Sequence, residues 1–209
     1  MKIYLIRHGR QNSRLCNVNV SLSEEGRQQA KLLGERMKTW NIERLYCSDL
    51  IRAVETANII NESLHVDVTV EPDFQEIDFG EMTGRSDEEN AQYFAFFKKK
   101  LNSRKCDLAY PGGESGEDVY QRGFPIINKI AHSYDGNIAI VTHGVFIRCI
   151  LSGLLGVDFA KKSMFAKNME NTAVTELYYD KQSEMFTLER FNDYNHLEQY
   201  PELLRAAWK

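Results

Sequence analysis

Two histidine–glycine pairs stand directly behind apolar runs of the sequence. His8-Gly9 follows the run IYLIR, and His143-Gly144 follows the run NIAIVT. One histidine behind a strand is most often a hydrogen-bonded structural residue, whereas two in the same context indicate a shared site. A neutral imidazole can be a nucleophile near neutral pH when its other ring nitrogen is held as a donor.

Two arginines accompany these histidines. Arg7 directly precedes His8, and Arg52 lies near the start of the segment behind a third apolar run, LYC. A helix N-terminus favours an anion, and an arginine there adds directed donors. Either arginine alone would be assigned to a surface ion pair. Together with the two histidines they predict a cationic pocket in a chain of net charge −4, and a phosphoryl group fits such a pocket.

Strand and helix patterns alternate along the chain and predict how these residues are brought together. The expected strands are 2–6, 44–47, 66–70, 137–142, 173–179 and 186–191. The expected helices are 23–40 behind a Ser23 N-cap, 48–62 with Ser48-Asp49 as its cap, and 145–155. This alternation predicts an α/β fold, a three-layer and mostly parallel sheet with helices on both faces. Sites in such sheets lie beyond the carboxyl ends of the strands, where both histidines fall.

The chain length and the interruptions of the pattern predict the domain organisation. With 209 residues and 43% hydrophobic composition, we expect one domain over 1–209. Residues 80–113 break the alternation and are expected to be a helical insertion over the active site. Within it, 93–100 either covers the pocket and selects the substrate or forms an amphipathic helix that buries its aromatics, and the second interpretation is favoured. Residues 191–209 are expected to be a packed tail.

Charge and cysteines predict the surroundings of the protein. Interspersed charges with a net −4 offer no basic field, so neither a nucleic acid nor a membrane is expected as a partner. The four cysteines lack CxxC spacing, and the sequence shows neither a leader pattern nor an apolar stretch of membrane-spanning length. We therefore predict a cytoplasmic protein with reduced thiols.

Six motifs occur in an order that resembles the histidine phosphatase superfamily, also called phosphoglycerate mutase-like. They are LIRHG (5–9), SLSEEGRQQA (21–30), LYCSDLIRAVETA (45–57), QEIDFGEMTG (75–84), PGGES (111–115) with Arg122 behind it, and VTHG (141–144). RHG alone would be weak evidence. Because six ordered motifs span nearly the whole chain, it is identified as a member of that superfamily.

The resemblance implies a role for each matched residue. His8 would be the phosphorylated nucleophile, and Glu76 would be the general acid and base beside the scissile bond. The alternative for Glu76 is one more acid in an acidic stretch. The residues that would hold the phosphoryl oxygens are Arg7, Arg52, His143 and, through its backbone amide, Gly144. The resemblance implies neither a metal nor another cofactor.

The loop behind RHG departs from the family pattern. The family has an asparagine there that helps to bind phosphate, and direct counting places Arg14 at that position. Asn12, Asn17 or Asn19 could supply the missing amide, and we include Asn12, with Arg10, among the candidate substrate-binding residues. Arg10 and Arg14 could favour a substrate with a second anionic group, although solvated loop arginines are the simpler interpretation.

The resulting hypothesis is a metal-independent phosphomonoesterase that hydrolyses a small phosphorylated metabolite through a phosphohistidine. Sugar phosphates, phosphoglycerates and the nucleotide-loop phosphate of cobalamin synthesis are all substrates of similar small phosphatases. A phosphoglycerate-type mutase is the second hypothesis, less favoured because this chain lacks the longer insertion of those enzymes. A catalytically silent phospholigand-binding or regulatory module is disfavoured because the nucleophile, the acid and the phosphate ligands are all present.

Overall fold

The computed structural model describes residues 1–208. Its strands are β1 (Lys2–Arg7), β2 (Ile42–Cys47), β3 (Asp67–Val70), β4 (Asn137–Thr142), β5 (Val174–Asp180) and β6 (Met185–Asp193). Its α-helices are α1 (Glu24–Met37), α2 (Ile51–Leu64), α3 (Asp87–Tyr93), α4 (Ala95–Asn102), α5 (Gly116–Ser133) and α6 (Gly144–Leu154). None of these helices is both long and apolar enough to cross a bilayer.

The six strands form one sheet in the order β3-β2-β4-β1-β5-β6. The first four are parallel to one another, whereas β5 runs antiparallel to β1 and β6 antiparallel to β5. Successive residues of β1 face opposite sides: Ile3 and Leu5 join a core with α5 and α6, while Tyr4 and Ile6 join a core with α1 and α2. The predicted three-layer, mostly parallel α/β fold is therefore confirmed.

The starts of the first two helices differ from each other in their capping. Ser23 caps α1 as predicted, because its side chain accepts a hydrogen bond from Gly26 N. A Cβ on Gly26 would lie 2.1 Å from the carbonyl oxygen of Arg10, so only glycine lets α1 approach the loop behind β1 so closely. The predicted Ser48-Asp49 cap of α2 is wrong, since α2 begins at Ile51 without a side-chain cap.

The 18-residue helix α5 was not predicted from the sequence. Its N-terminus carries a complete capping box between Ser115 and Asp118. Pro125 lies inside the helix, although Val119, Ile127 and Ile130 recur at helical spacing along it. Its buried face, which includes Val119 and Ile127, packs against the sheet beside α6.

The predicted insertion at 80–113 contains α3 and α4. Phe79, which precedes it, and Asp87 line a cavity that Arg7 and His8 also line, so this segment borders the predicted site. The favoured interpretation of its aromatics is wrong, because Tyr93 and Phe96 are 65% and 72% exposed. Only Phe97 of this group packs on another ring, that of Tyr110 at 5.4 Å. Helix α4 lies on the surface and buries none of its residues.

The C-terminal segment is a packed tail, as expected. Leu197 and Leu203 are buried, and the side chain of Gln29 in α1 donates a 2.7 Å hydrogen bond to the carbonyl of Leu203. Trp208 lies between two guanidinium groups, with those of Arg10 and Arg205 at 4.4 and 4.7 Å from its ring. The tail is thereby held against the loop behind β1.

Candidate active site

The two histidine–glycine pairs lie side by side at the carboxyl ends of neighbouring strands. Arg7 is paired with Thr142 in the β1–β4 register, and His8 N continues the pairing with a 2.9 Å hydrogen bond to the carbonyl of Thr142. His8 and His143 are therefore level with each other, with ring centroids 5.1 Å apart. The position predicted for both histidines is observed.

The ring of His8 is fixed in one orientation and one tautomer. Nδ1 lies 2.7 Å from the carbonyl oxygen of Gly9, which can only accept, so Nδ1 must carry the proton. Nε2 therefore has the free lone pair, and it accepts a 3.2 Å hydrogen bond from Nε of Arg52. Burial, with the guanidiniums of Arg52 and Arg7 nearby, lowers the pKa of His8 well below 6.5. The imidazole is thus neutral at physiological pH.

Arg52 is buried and aimed at His8 by a network of acceptors. Its Nη1 donates to the carbonyl of Val18 at 3.0 Å, and its Nη2 donates to Oδ1 of Asn17 at 2.7 Å. Burial lowers the pKa of Arg52, but a guanidinium stays charged in proteins. The first turn of α2 therefore presents a fixed positive charge at the lone pair of His8.

His143 is completely buried and held by a residue of a third strand end. Its Nε2 lies 2.9 Å from Oγ of Ser48, directly behind β2, and Ser48 Oγ also accepts a 3.2 Å hydrogen bond from Leu50 N. The hydroxyl proton of Ser48 is then available to Nε2, which leaves the ring proton on Nδ1. Nδ1 is buried and has no partner among residues 1–208. His143 therefore holds an unused donor, and burial beside Arg52 lowers its pKa well below 6.5.

The guanidinium of Arg7 is anchored through one nitrogen, while another has no partner among residues 1–208. Nη1 donates a 2.5 Å hydrogen bond to the carbonyl of Met169, while Nε is buried without a partner in the described part of the chain. Gly144 lies against this group, since a Cβ there would be 3.4 Å from Arg7 Nε. Arg7 therefore faces the space in front of both histidines with a donor still available.

The carboxyl group of Glu76 lies at the N-terminus of α6. Oε1 accepts hydrogen bonds from Phe146 N at 2.9 Å and Ile77 N at 3.1 Å, and Oε2 accepts one from Val145 N at 3.2 Å. The first turn of α6 thus fixes the position of the predicted acid. Glu76 lines the same cavity as His8, Arg7 and Arg52.

Arg122, the arginine behind PGGES, holds the backbone that carries Glu76. Its Nη2 donates to the carbonyls of Gln75 and Glu76 at 3.0 and 3.1 Å, and its Nη1 donates to the carbonyl of Asp73 at 2.6 Å. Glu114 pairs with the same guanidinium at 2.8 Å. Arg122 therefore fixes the position of the backbone that carries Glu76.

Arg7, His8, Arg52 and Glu76 line a cavity of about 490 Å³. His143 lies behind this lining, beside His8, and Gly144 lines a smaller neighbouring cavity. The residues that line the larger cavity are Arg7, His8, Gln11, Ser13, Arg14, Cys16, Asn17, Arg52, Glu76, Phe79, Asp87, Asn171, Arg205 and Trp208. Four arginines against two carboxyl groups make it cationic within an acidic protein. Asn171 and the two tail residues were not predicted from the sequence, and no local motif marks them.

Two further predicted substrate-binding residues, Asn12 and Arg10, also lie outside the lining of this cavity. Asn12 is exposed, and its backbone pairs with Ser21 across the loop. Arg10 stacks on Trp208 and lies 3.6 Å from Glu25, so its charge serves to hold the tail. The structure therefore does not bring either side chain together with Arg7, His8 and Arg52. Among the three asparagines left open, Asn17 is the one that reaches the cavity and contacts Arg52.

Fold and site together define an α/β protein with a cationic cavity beside paired histidines at the carboxyl ends of two neighbouring parallel strands. The family model of the histidine phosphatase superfamily (branch 1) matches residues 3–194. Phosphoglycerate mutase-like protein 4 of Arabidopsis thaliana is 30% identical over 95% of this chain and 87% of its own length. The chain belongs to the histidine phosphatase superfamily.

Solved structures agree with this assignment. YhfR of Bacillus stearothermophilus has a TM-score of 0.84 and 26% identity, covering 94% of this chain and 99% of its own. Mycobacterial glucosyl-3-phosphoglycerate phosphatase, solved with VO3, has a TM-score of 0.81 and 25% identity over 91% of this chain and 98% of its own. The similar proteins therefore include one named as a phosphatase and one named as phosphoglycerate mutase-like.

Proposed function

We propose that the protein is a metal-independent phosphomonoesterase that hydrolyses a small phosphorylated metabolite through a phosphohistidine at His8. The observation that carries the proposal is the fixed tautomer of His8. With Nδ1–H bonded to the Gly9 carbonyl, the lone pair of Nε2 points at the guanidinium of Arg52. The nucleophilic lone pair of His8 is therefore already directed toward the guanidinium of Arg52, which would hold the phosphoryl group under attack.

In the first half of the reaction, Nε2 of His8 attacks phosphorus and the bond to the ester oxygen breaks. Arg52 exchanges its hydrogen bond with Nε2 for one to a phosphoryl oxygen, and Nε of Arg7 and Nδ1 of His143 supply two further donors, both without partners among residues 1–208. Donors fixed in advance are the main source of transition-state stabilisation in such reactions. Glu76, as the carboxylic acid, gives its proton to the departing oxygen.

In the second half, water attacks the phosphohistidine. Glu76, now a carboxylate, takes a proton from that water, the Nε2–phosphorus bond breaks, and inorganic phosphate leaves. One residue can serve as acid and then as base because the second step is the reverse of the first, with water in place of the alcohol. The hydrogen bonds from Val145 N and Phe146 N hold the carboxyl group at the same place through both steps.

Hydrolysis of an aryl phosphate between about pH 5 and 8, with a metal chelator present, tests this function. We expect chelator-resistant hydrolysis by the wild type and none by His8→Ala, which should also form no acid-labile, base-stable phosphoenzyme. Glu76→Gln should still become phosphorylated by an aryl ester with a good leaving group, but should turn over alkyl phosphates poorly. Equal hydrolysis by wild type and His8→Ala would refute the proposal.

The mutase hypothesis is separated by product analysis. With 3-phosphoglycerate as substrate, a phosphatase releases inorganic phosphate, whereas a mutase forms 2-phosphoglycerate and depends on a bisphosphate. We expect release of phosphate without added bisphosphate. Formation of 2-phosphoglycerate as the main product would assign the protein to the mutases instead.

A further inference from the structure

A second, smaller cavity of about 160 Å³ adjoins the phosphoryl pocket. Arg7, Glu76 and Arg205 line both cavities, so the two are neighbours that share these walls. The remaining charged residues of the smaller cavity are Arg148 of α6 and Lys167 of the loop before β5. Four cations thus face one carboxylate in a space large enough for a small anionic group.

The cations of this cavity form no ion pairs with the described residues. No ion pair of Arg7, Arg148, Lys167 or Arg205 occurs within residues 1–208. Glu170 accepts a 2.9 Å hydrogen bond from the backbone N of Arg205. The guanidinium of Arg205 stacks on Trp208 through its face, and its N–H donors are not engaged by a carboxylate of this part of the chain.

The guanidinium of Arg148 is bound through one terminal nitrogen, while its Nε has no partner among residues 1–208. One of its terminal nitrogens donates a 2.7 Å hydrogen bond to the carbonyl of Ala166, which fixes the plane of the guanidinium. Its Nε is buried and lacks a partner in the described part of the chain. Burial lowers the pKa of Arg7 most, Arg205 and Arg148 lower it further, and Glu76 and Glu170 raise it, so the three cations lie in each other's field. An anion between them would relieve this repulsion.

We propose that Arg148, Lys167 and Arg205 form a second anion-binding site, which selects phosphate esters whose alcohol carries another acidic group within a few atoms of the ester oxygen. The inference rests on the proposed function and adds the substrate class. Glu76, the residue proposed to protonate the leaving oxygen, lines the smaller cavity, so an alcohol leaving beside it can extend toward Arg148 and Lys167. The second anion therefore belongs to the leaving alcohol, and a carboxylate or a second phosphoryl group has the required oxygens.

Two matched pairs of esters test the site and distinguish its two possible ligands. 3-Phosphoglycerate and glycerol 3-phosphate differ by a carboxylate in place of a hydroxymethyl group. Glycerol 1,3-bisphosphate and glycerol 3-phosphate differ by a second phosphoryl group at a similar distance from the ester oxygen. We expect kcat/KM for the acidic member of one pair to exceed that of its neutral partner by about tenfold or more, the effect of one charged hydrogen bond. The pair that shows this preference identifies the anion.

Substitutions in the smaller cavity test whether its cations cause the preference for the acidic esters. Arg148→Met and Lys167→Gln should each reduce the preference by about tenfold through KM, and Lys167, which is exposed, can be replaced without risk to folding. Lys161→Gln removes another exposed lysine of the same region, outside both cavities, and should leave the preference unchanged.

The outcomes separate the second site from the proposed function. Hydrolysis of an aryl phosphate combined with equal use of both members of each pair, or with no use of the acidic members, would overturn the second site alone. Variants that slow both members of a pair equally would overturn it as well, because a general field effect would explain them. No hydrolysis of the aryl phosphate or of any of these esters would overturn both proposals.

Discussion

Replacement of Ser48 by alanine should slow the reaction although this residue touches no substrate. Ser48 is completely buried, and its hydroxyl joins Nε2 of His143 to the backbone N of Leu50. The substitution leaves Nε2 of a buried ring without a partner, and it removes the group that keeps the ring proton on Nδ1. The donor that His143 would offer to a phosphoryl oxygen is then present in only part of the molecules.

The structure sets the size of the two effects. An unpaired buried nitrogen costs about 1–3 kcal/mol in the free energy of unfolding. Complete loss of an oriented donor costs about 10²–10³ in rate. Because Ser48→Ala keeps the ring of His143 in place, we expect a smaller loss, about ten- to a hundredfold in kcat, or roughly 1.4–2.7 kcal/mol.

The assay is kcat and KM for an aryl phosphate together with urea unfolding, for Ser48→Ala and a matched control. Ser152→Ala is that control, since Ser152 is equally buried but its hydroxyl has no partner among residues 1–208. We expect wild-type kinetics for the control. A Ser48→Ala variant with wild-type kcat, or with a rate loss that Ser152→Ala shares, would refute the role of the tautomer.

Three further outcomes follow from the geometry. Since burial and Arg52 lower the pKa of His8, kcat for an aryl phosphate should stay level as the pH falls from about 7.5 to 6, and half-loss near pH 6.5 would contradict this. Burial lowers the pKa of His196 to about 4, so the unfolded chain binds a proton that the native state does not as the pH falls below about 6.5. Urea unfolding should then show the wild type losing about 3 kcal/mol more than His196→Gln between about pH 7 and pH 4, whereas parallel losses would exclude it. Gly123→Ala places a Cβ 2.5 Å from the buried ring of Phe146 and should cost about 1–3 kcal/mol in thermal unfolding, whereas an unchanged Tm would show that the ring can move.

The strands and the paired histidines could be predicted because local sequence determines them. A strand buried on both faces needs an unbroken apolar run, and β4 was predicted with its observed bounds, Asn137–Thr142. Parallel strands end at one edge of the sheet, so the fold class places His8 and His143 at the same edge, whereas the pairing of β1 with β4 that brings them into contact is shown only by the structure. The missed helix α5 had two signals in the sequence, its capping box and the helical spacing of Val119, Ile127 and Ile130, so it could have been predicted in spite of Pro125.

The loop and tail residues could not be predicted because their positions depend on distant segments. Asn17 reaches Arg52 from a loop position with a φ of 45°, which the spacing of asparagines does not reveal. Arg10 is close to the nucleophile in sequence, yet its charge is directed to Trp208, 198 residues further along the chain. Arg205 enters both cavities through the same tail contact. Nothing in the neighbouring sequence specifies such contacts.

The central place of β1 also determines when the pocket can form during biosynthesis. β1 is translated before the other five strands, but its neighbours in the sheet are β4 and β5, which begin at Asn137 and Val174. Both edges of the strand that precedes His8 therefore lack their partners until more than a hundred further residues have been translated. Contacts between such distant segments form slowly and leave apolar edges open to aggregation in the meantime. The paired histidines can come together only once β4 has been translated, after the residues of α1, β2 and α2.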